Sequence, residues 1–251
     1  MTTETPHPTA GDAKSCCAAL YAGDWARLLL GLTPGTRVLD VAAGRGTSAI
    51  HLAQRFGCQV VGVDYSAQSV AAAQEAADRA GVGAQVRFVT GDAECLPVAD
   101  GTFDAVLCEC AFCTFPDKRA AAAELARVLR CGGRVGLSDL TRRGLLPPEL
   151  EGLLAWVACI ADARPVAEYV AYLAEAGLAV DGVEPHDEAL AAMVREIRTR
   201  LLGAEVLVKL KKLDLPGADF EVARALARAA AEAVARGQLG YALIAGTKRP
   251  A

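Results

Sequence analysis

The sequence has no uninterrupted apolar run long enough to cross a bilayer, so no transmembrane helix is expected. Its first residues lack the charged and apolar regions of a signal peptide. Residues 1–14 are instead read as a disordered tail, polar and rich in Pro and Thr at the start. Histidine is scarce: His7, His51 and His186 are scattered, which argues against a histidine metal site. Positive charge is not in excess. With 26 Lys and Arg against 30 Asp and Glu, the net charge is −4, and no nucleic-acid surface is indicated. No internal repeat is present. Cysteine, by contrast, is plentiful, with nine in 251 residues. Without a signal peptide this implies reduced thiols and a cytoplasmic location rather than a disulfide framework. A hydrophobic content of 53% allows a sizeable core, in one large domain or one domain with an appendage.

The chain is organised around Arg37-Val38-Leu39-Asp40-Val41-Ala42-Ala43-Gly44-Arg45-Gly46-Thr47-Ser48-Ala49. An apolar run ends in an acid, and two glycines one residue apart open a helix-forming segment. This reads as a buried parallel strand, a tight turn and a helix N-terminus. Glycines there let a ligand lie against the backbone. The stretch Val60-Val61-Gly62-Val63-Asp64 is a second strand ending in a second acid, placed to accept hydrogen bonds from a ribose. Gly44-x-Gly46-x-x-Ala49 also matches the relaxed dinucleotide pattern. Asp40 decides between ligands: a carboxylate at the mouth of the turn repels a pyrophosphate but suits the ammonium and sulfonium of S-adenosylmethionine (SAM). A glycine turn used only for close strand–helix packing is the bland alternative.

Along the chain, residues 15–30 have helical spacing. They read either as a packing helix or as a lid, residues 15–36, that carries Cys16 and Cys17. A helix over 47–56 follows the turn. Ser66 is an N-cap for a helix to residue 80, with Gly81 at its stop. Strands are predicted at 85–89, 103–107, 134–137, 178–183 and 240–247. Asp92, just past the third, is placed either for an adenine amino group or to cap its own turn. The fourth runs into Cys108-Glu109-Cys110-Ala111-Phe112-Cys113, where an open α/β sheet binds ligands. Helices are predicted from Pro116 to residue 130, stopped by Gly132-Gly133, then over 149–160 and 166–176. Two more, over 187–212 and 219–236, form a helical insertion (187–237) before the last strand. Strands alternating with helices give a doubly wound parallel sheet over 37–251.

The ordered set Asp40 to Gly46, Asp64, then Gly91-Asp92-Ala93 resembles the successive motifs of class I SAM-dependent methyltransferases. That resemblance implies a Rossmann-like seven-stranded sheet whose last strand is inserted antiparallel. It also implies a SAM site made by Asp40, Ala42, Gly44, Gly46, Asp64, Tyr65, Asp92, Ala93, Cys108 and Glu109. A narrower set is similar to the arsenite methyltransferases: Cys110 before Pro116-Asp117-Lys118, then Glu124, Gly132-Gly133, Ser138-Asp139 and Trp156-x-x-Cys159. By that resemblance Cys110 and Cys159 bind trivalent arsenic and carry the catalysis. Cys16 or Cys17 stands as the third ligand. The family's members usually have further cysteines on a longer N-terminal segment.

Trivalent arsenic is thiophilic. Held by thiolates it attacks the sulfonium methyl with its lone pair and needs no general base. The implied partners are a metalloid or small-molecule substrate and a thiol such as glutathione, in arsenic detoxification. Neither nucleic acid nor membrane is implied. Two other readings stay open. One is an organic oxygen, nitrogen or carbon acceptor, for which His186 and Glu109 are the candidate bases. The other is a non-enzymatic thiol metal-binding protein, suggested by Cys108-x-Cys110-x-x-Cys113 but not matching a zinc or cluster pattern. Cys58 and Cys131 read as buried packing residues, while Cys95 and Cys113 are undecided.

Overall fold

A computed structural model describes residues 30–150, 160, 162–214 and 219–250. The pivot stretch forms β1 (Arg37–Val41), and α1 (Thr47–Phe56) follows the turn. Next come β2 (Gln59–Asp64), α2 (Ala67–Arg79), β3 (Val86–Thr90), β4 (Phe103–Glu109) and α3 (Lys118–Val128). The chain continues through β5 (Leu129–Arg142), α4 (Val166–Glu175), β6 (Leu178–Pro185), α5 (Asp187–Lys209), α6 (Phe220–Ala235) and β7 (Leu239–Lys248). The strands make one sheet of order β3-β2-β1-β4-β5-β7-β6. Only β7 is antiparallel, to both its neighbours. The strand order reverses between β1 and β4, the switch point where such sheets bind ligands.

Helices cover both faces, and the inner strands are apolar for that reason. On one face Leu52 and Ala53 of α1 and Ala73 and Ala77 of α2 pack on Val38, Val60 and Val86. On the other, Leu125 and Val128 of α3 and Tyr169 and Leu173 of α4 pack on Leu39, Val106 and Val135. A third cluster joins Leu140, Tyr241 and Leu243 to Leu190 and Val194 of α5 and to Ala230 and Ala233 of α6. The two late helices stand between β6 and β7 in the chain and pack on that end of the sheet. Asp219 caps α6 by accepting from the amides of Glu221 and Val222, each at 3.0 Å. At the start of α2, Ser66 accepts from the Ser69 amide at 3.2 Å.

Several boundaries differ from the expectation, two of them informatively. α3 starts at Lys118, not Pro116, because the Asp117 carboxylate accepts from the amides of Arg119 and Ala120 at 3.0 and 2.9 Å. β5 begins at Leu129, inside the expected helix end, and runs through Gly132 at φ 75°. Cys131 therefore lies exposed on a strand, not buried at a helix end. Leu30 packs against Gly136 of β5, where an added Cβ would come within 2.9 Å of it. The tail, most of the lid with Cys16 and Cys17, and residues 151–159 with Trp156 and Cys159 lie outside the described residues. No helix among the described residues is long and apolar enough to cross a membrane.

Candidate functional site

The turn after β1 is built from left-handed residues: Ala42 at φ 59°, Gly44 at 54° and Gly46 at 78°. The Ala43 amide bonds the Val63 carbonyl at 3.0 Å and the Gly46 amide bonds that of Ala43 at 2.9 Å, which fixes the loop across the ends of β1 and β2. The two glycines serve different ends. A Cβ on Gly44 would meet open space, so its bareness leaves room above the backbone. A Cβ on Gly46 would stand 2.4 Å from Phe88 Cζ and 3.0 Å from the Ala73 Cβ. Gly46 thus lets α1 close on β3, the packing role; Gly62 does the same for the Phe88 ring, 2.3 Å from its missing Cβ.

The acids converge on this turn. Asp40 is 2% exposed, and its Oδ2 is buried with no hydrogen-bond partner. Burial pushes its carboxyl well above the usual range, and the nearby Glu109 pushes it further. Asp64 accepts from the Gly44 amide at 2.7 Å and the Ser66 amide at 2.9 Å, which ties the glycine loop to the end of β2. Tyr65 beside it is 81% exposed. Glu109, at the end of β4, is joined by a hydrogen bond from the Ser48 hydroxyl on α1. Asp92 accepts from the Glu94 amide at 2.9 Å in its own turn. Ala93 packs on the core beneath.

The sulfur atoms lie on the other side of the switch point. Cys108 is fully buried between Val41 and Leu137, and burial pushes its thiol well up. Cys110 has φ 48°, its amide bonds the Ser138 carbonyl at 2.8 Å, and its Sγ lies 3.1 Å from Tyr241 Oη. Cys113 is buried, and its amide donates to Asp139 Oδ2 at 2.8 Å. The Asp139 carboxyl is pushed up to about 6, chiefly by burial. Lys118 of the Pro-Asp-Lys motif serves structure: its Nζ bonds the Phe115 carbonyl at 3.0 Å and Asp162 at 2.8 Å. Cys58, Cys95, Cys108 and Cys131 are free thiols, and among the described residues no group of three or more His, Cys, Asp or Glu could hold a metal. The reading of Cys108, Cys110 and Cys113 as a structural metal site finds no support in that arrangement. His186 stands at the start of α5, 3.5 Å from Glu184, not at the glycine turn. Sequence reasoning missed Ser48 and Tyr241. Ser48 could have been found as a hydroxyl on the first turn of α1; nothing local marks Tyr241.

A family model described as a methyltransferase domain matches residues 38–133. The 27-O-demethylrifamycin SV methyltransferase of Amycolatopsis mediterranei is 31% identical over 227 residues, covering 88% of this chain and 80% of its own. The chain belongs to the class I methyltransferases. The arsenite methyltransferase of Halobacterium salinarum is 32% identical over 160 residues, covering 62% of this methyltransferase and 41% of its own length. With methyltransferase GfsG of Streptomyces halstedii the match spans 55% of that protein, so the chain spans about half the length of these two relatives. Among solved structures, a Haemonchus contortus phosphoethanolamine N-methyltransferase with S-adenosylhomocysteine superposes at a TM-score of 0.76. It is 20% identical, and the match covers 89% of this methyltransferase and 51% of that chain.

The residues of the methyltransferase fit SAM, the cofactor of the family. The orphaned Asp40 Oδ2 is a buried acceptor in need of a cation or donor. The open space over Gly44 admits a ligand against the backbone. When bound, SAM supplies an electrophilic methyl on a sulfonium. Asp40 and Glu109 place two acids at the mouth of the turn, and Asp64 stands at the end of β2.

Proposed function

We propose that this chain is a SAM-dependent methyltransferase whose acceptor is trivalent arsenic held by the Cys110 thiolate. The observation that carries the acceptor is the placement of Cys110. It follows Glu109 at the end of β4, beside the switch point, in the left-handed region at φ 48°. That conformation costs a residue with a Cβ about 1–2 kcal/mol. Glycine would serve the turn better, so the thiol is kept there for something other than folding. Thiolates are the natural ligands of arsenic, and the named arsenite methyltransferase among the relatives supports the same acceptor. Cys159, with Cys16 or Cys17, completes the ligand set in this reading.

The protein's part is to position the arsenic and exclude water. No proton leaves the acceptor, so no general base is required. A second reading, an organic small molecule, is favoured by one observation. The relative matched over most of its own length is named for a rifamycin-type acceptor, and Cys110 itself borders an apolar cluster around Leu140, Leu146 and Leu243.

Radiolabelled SAM offered with arsenite plus glutathione, and in parallel with a panel of phenols and small thiols, separates the readings. Label transfer to arsenic that disappears in Cys110→Ser, with SAM binding retained, is the expected result. Transfer to a phenol alone would move the organic reading ahead.

A further inference from the structure

We propose that an open cavity at the N-terminal ends of β1, β2 and β3 binds the phosphate group of a small phosphorylated molecule between Arg37 and Arg87. It lies at the opposite end of these strands from the glycine turn, and nothing in the methyl-transfer reading uses it. A doubly wound sheet carries helices on both faces, yet the connection from β3 to β4, residues 91–102, forms none. α1 and α2 pack on one face of β2 and β3, on Val60 and Val86. On the other face lies a cavity of about 280 Å3, close to the small end of ligand pockets. The strand register shows what lines it. Arg37 of β1 pairs with Gln59 of β2, and Val61 of β2 with Arg87 of β3. Partners in register share a face, as do alternate residues along a strand. Arg37, Gln59, Val61, Gln85 and Arg87 therefore project from one side, and Phe103 at the start of β4 completes the lining.

The side chains there are not those of a packing face. Two residues along β1 on the same side, Leu39 is buried in the core, whereas Arg37, Gln59 and Arg87 are exposed. The two arginine Cα atoms stand two strands and two residues apart, about 12 Å by ideal sheet spacing. Extended guanidiniums can meet one anion from opposite sides across that gap. Among the described residues no carboxylate is within ion-pair reach of either guanidinium. Arg130 and Arg134 on β5, by contrast, are paired with Asp104 and Asp181 at 2.9 and 2.8 Å. The acids around the cavity are already engaged. Asp104 accepts from the Arg37 amide at 2.7 Å and is neutralised by Arg130. Asp78, beside Gly83 on the rim, is exposed and accepts from the Gln74 amide at 3.2 Å. The side-chain amides of Gln59 and Gln85 carry no hydrogen bond among the described residues. Two like charges bordering one space repel. A phosphate dianion between them replaces that repulsion with charge-assisted hydrogen bonds, which the guanidinium fork can make in pairs.

The test is calorimetric titration of the full chain with glycerol phosphate, with SAM present so that the glycine turn is occupied. Inorganic phosphate is titrated in parallel, and glycerol and sodium chloride at matched ionic strength are the blanks. Glycerol phosphate should bind with a dissociation constant below about 1 mM. Arg37→Gln and Arg87→Gln should each weaken it about tenfold, the weight of a hydrogen bond to a charged group. SAM affinity should not change in either variant. Arg228→Gln, which removes an exposed cation on α6, is the control for bulk charge and should bind as the native chain does. Should one arginine variant not fold, the other decides. Absence of binding by the native chain up to about 10 mM overturns the proposal. So does undiminished affinity in a folded arginine variant, or an equal loss in Arg228→Gln. Binding of inorganic phosphate without glycerol phosphate overturns it as well. Methyl transfer stands or falls separately, since none of these titrations reads it.

Discussion

Asp40 works against the fold it belongs to. Its carboxyl is buried, its Oδ2 lacks a partner, and its proton affinity is raised well above the ordinary range. A carboxyl raised in the folded state favours folding below its unfolded pKa, and that contribution is lost as pH rises through the folded value. Well above the unfolded pKa the buried carboxyl is therefore a burden on the ligand-free protein, whether it stays protonated or ionises. Asp40→Asn should raise the melting temperature of the ligand-free chain at pH 8, with the gain shrinking toward pH 4, while SAM affinity falls about 10- to 100-fold. Differential scanning fluorimetry and SAM calorimetry read the two halves; a lower melting temperature at pH 8 would contradict this account. Asp64 differs, because it already ties Gly44 and Ser66. Asp64→Ala should weaken SAM binding by roughly 1–3 kcal/mol and also loosen the glycine loop. Affinity equal to that of the native protein would mean the ribose lies elsewhere.

At the level of elements, the two turn glycines separate packing from ligand access. Gly46→Ala drives a methyl into Phe88 and should destabilise the fold by about 1–3 kcal/mol in urea titration. The double variant Gly46→Ala/Phe88→Leu should recover part of that loss, since the ring is the obstacle. Gly44→Ala meets no neighbour and should act mainly through strain at φ 54° and through SAM affinity. If Gly46→Ala left stability untouched, the α1–β3 contact would not matter. This distinction was not legible beforehand, because Phe88 lies 42 residues beyond Gly46 and nothing near either glycine names it. The strands themselves were legible, since Val38-Leu39 and Val60-Val61 are apolar runs closed by acids and punctuated by glycines. Boundaries slipped where a local capping choice or a register irregularity decided: Asp117 took the cap from Pro116, and Leu129 left the helix for β5. The Cys110–Tyr241 pairing was illegible because sheet order, not local pattern, brings β4, β5 and β7 together.

For the whole molecule, thiol chemistry and acid sensitivity give the broad tests. Nearly all nine cysteines should titrate under denaturing, non-reducing conditions. In the native state Cys95 and Cys131 should react first, and Cys58, Cys108 and Cys113 last, following their exposure. Several disulfides in protein taken from its own cell would overturn the reduced-compartment expectation. Asp139, raised to about 6, contributes stability below about pH 4 that is lost as pH rises through 6, on the order of 3 kcal/mol. Asp40 acts in the same direction, whereas Glu124 and Asp181, with lowered pKa values, act in the opposite one and lose their contribution in acid. The stability difference between the native chain and Asp40→Asn is thus the cleaner pH readout than either curve alone.

The position of β7 also governs how the protein is born. It is the seventh strand in chain order but sits between β5 and β6. While the ribosome is still making residues 239–248, β5 and β6 each carry a bare edge with unpaired amides and carbonyls, and such edges recruit other chains. The nascent sheet cannot close until those residues are free. Its hazardous interval thus lasts until residues 239–248 have emerged, after the other six strands have already been made.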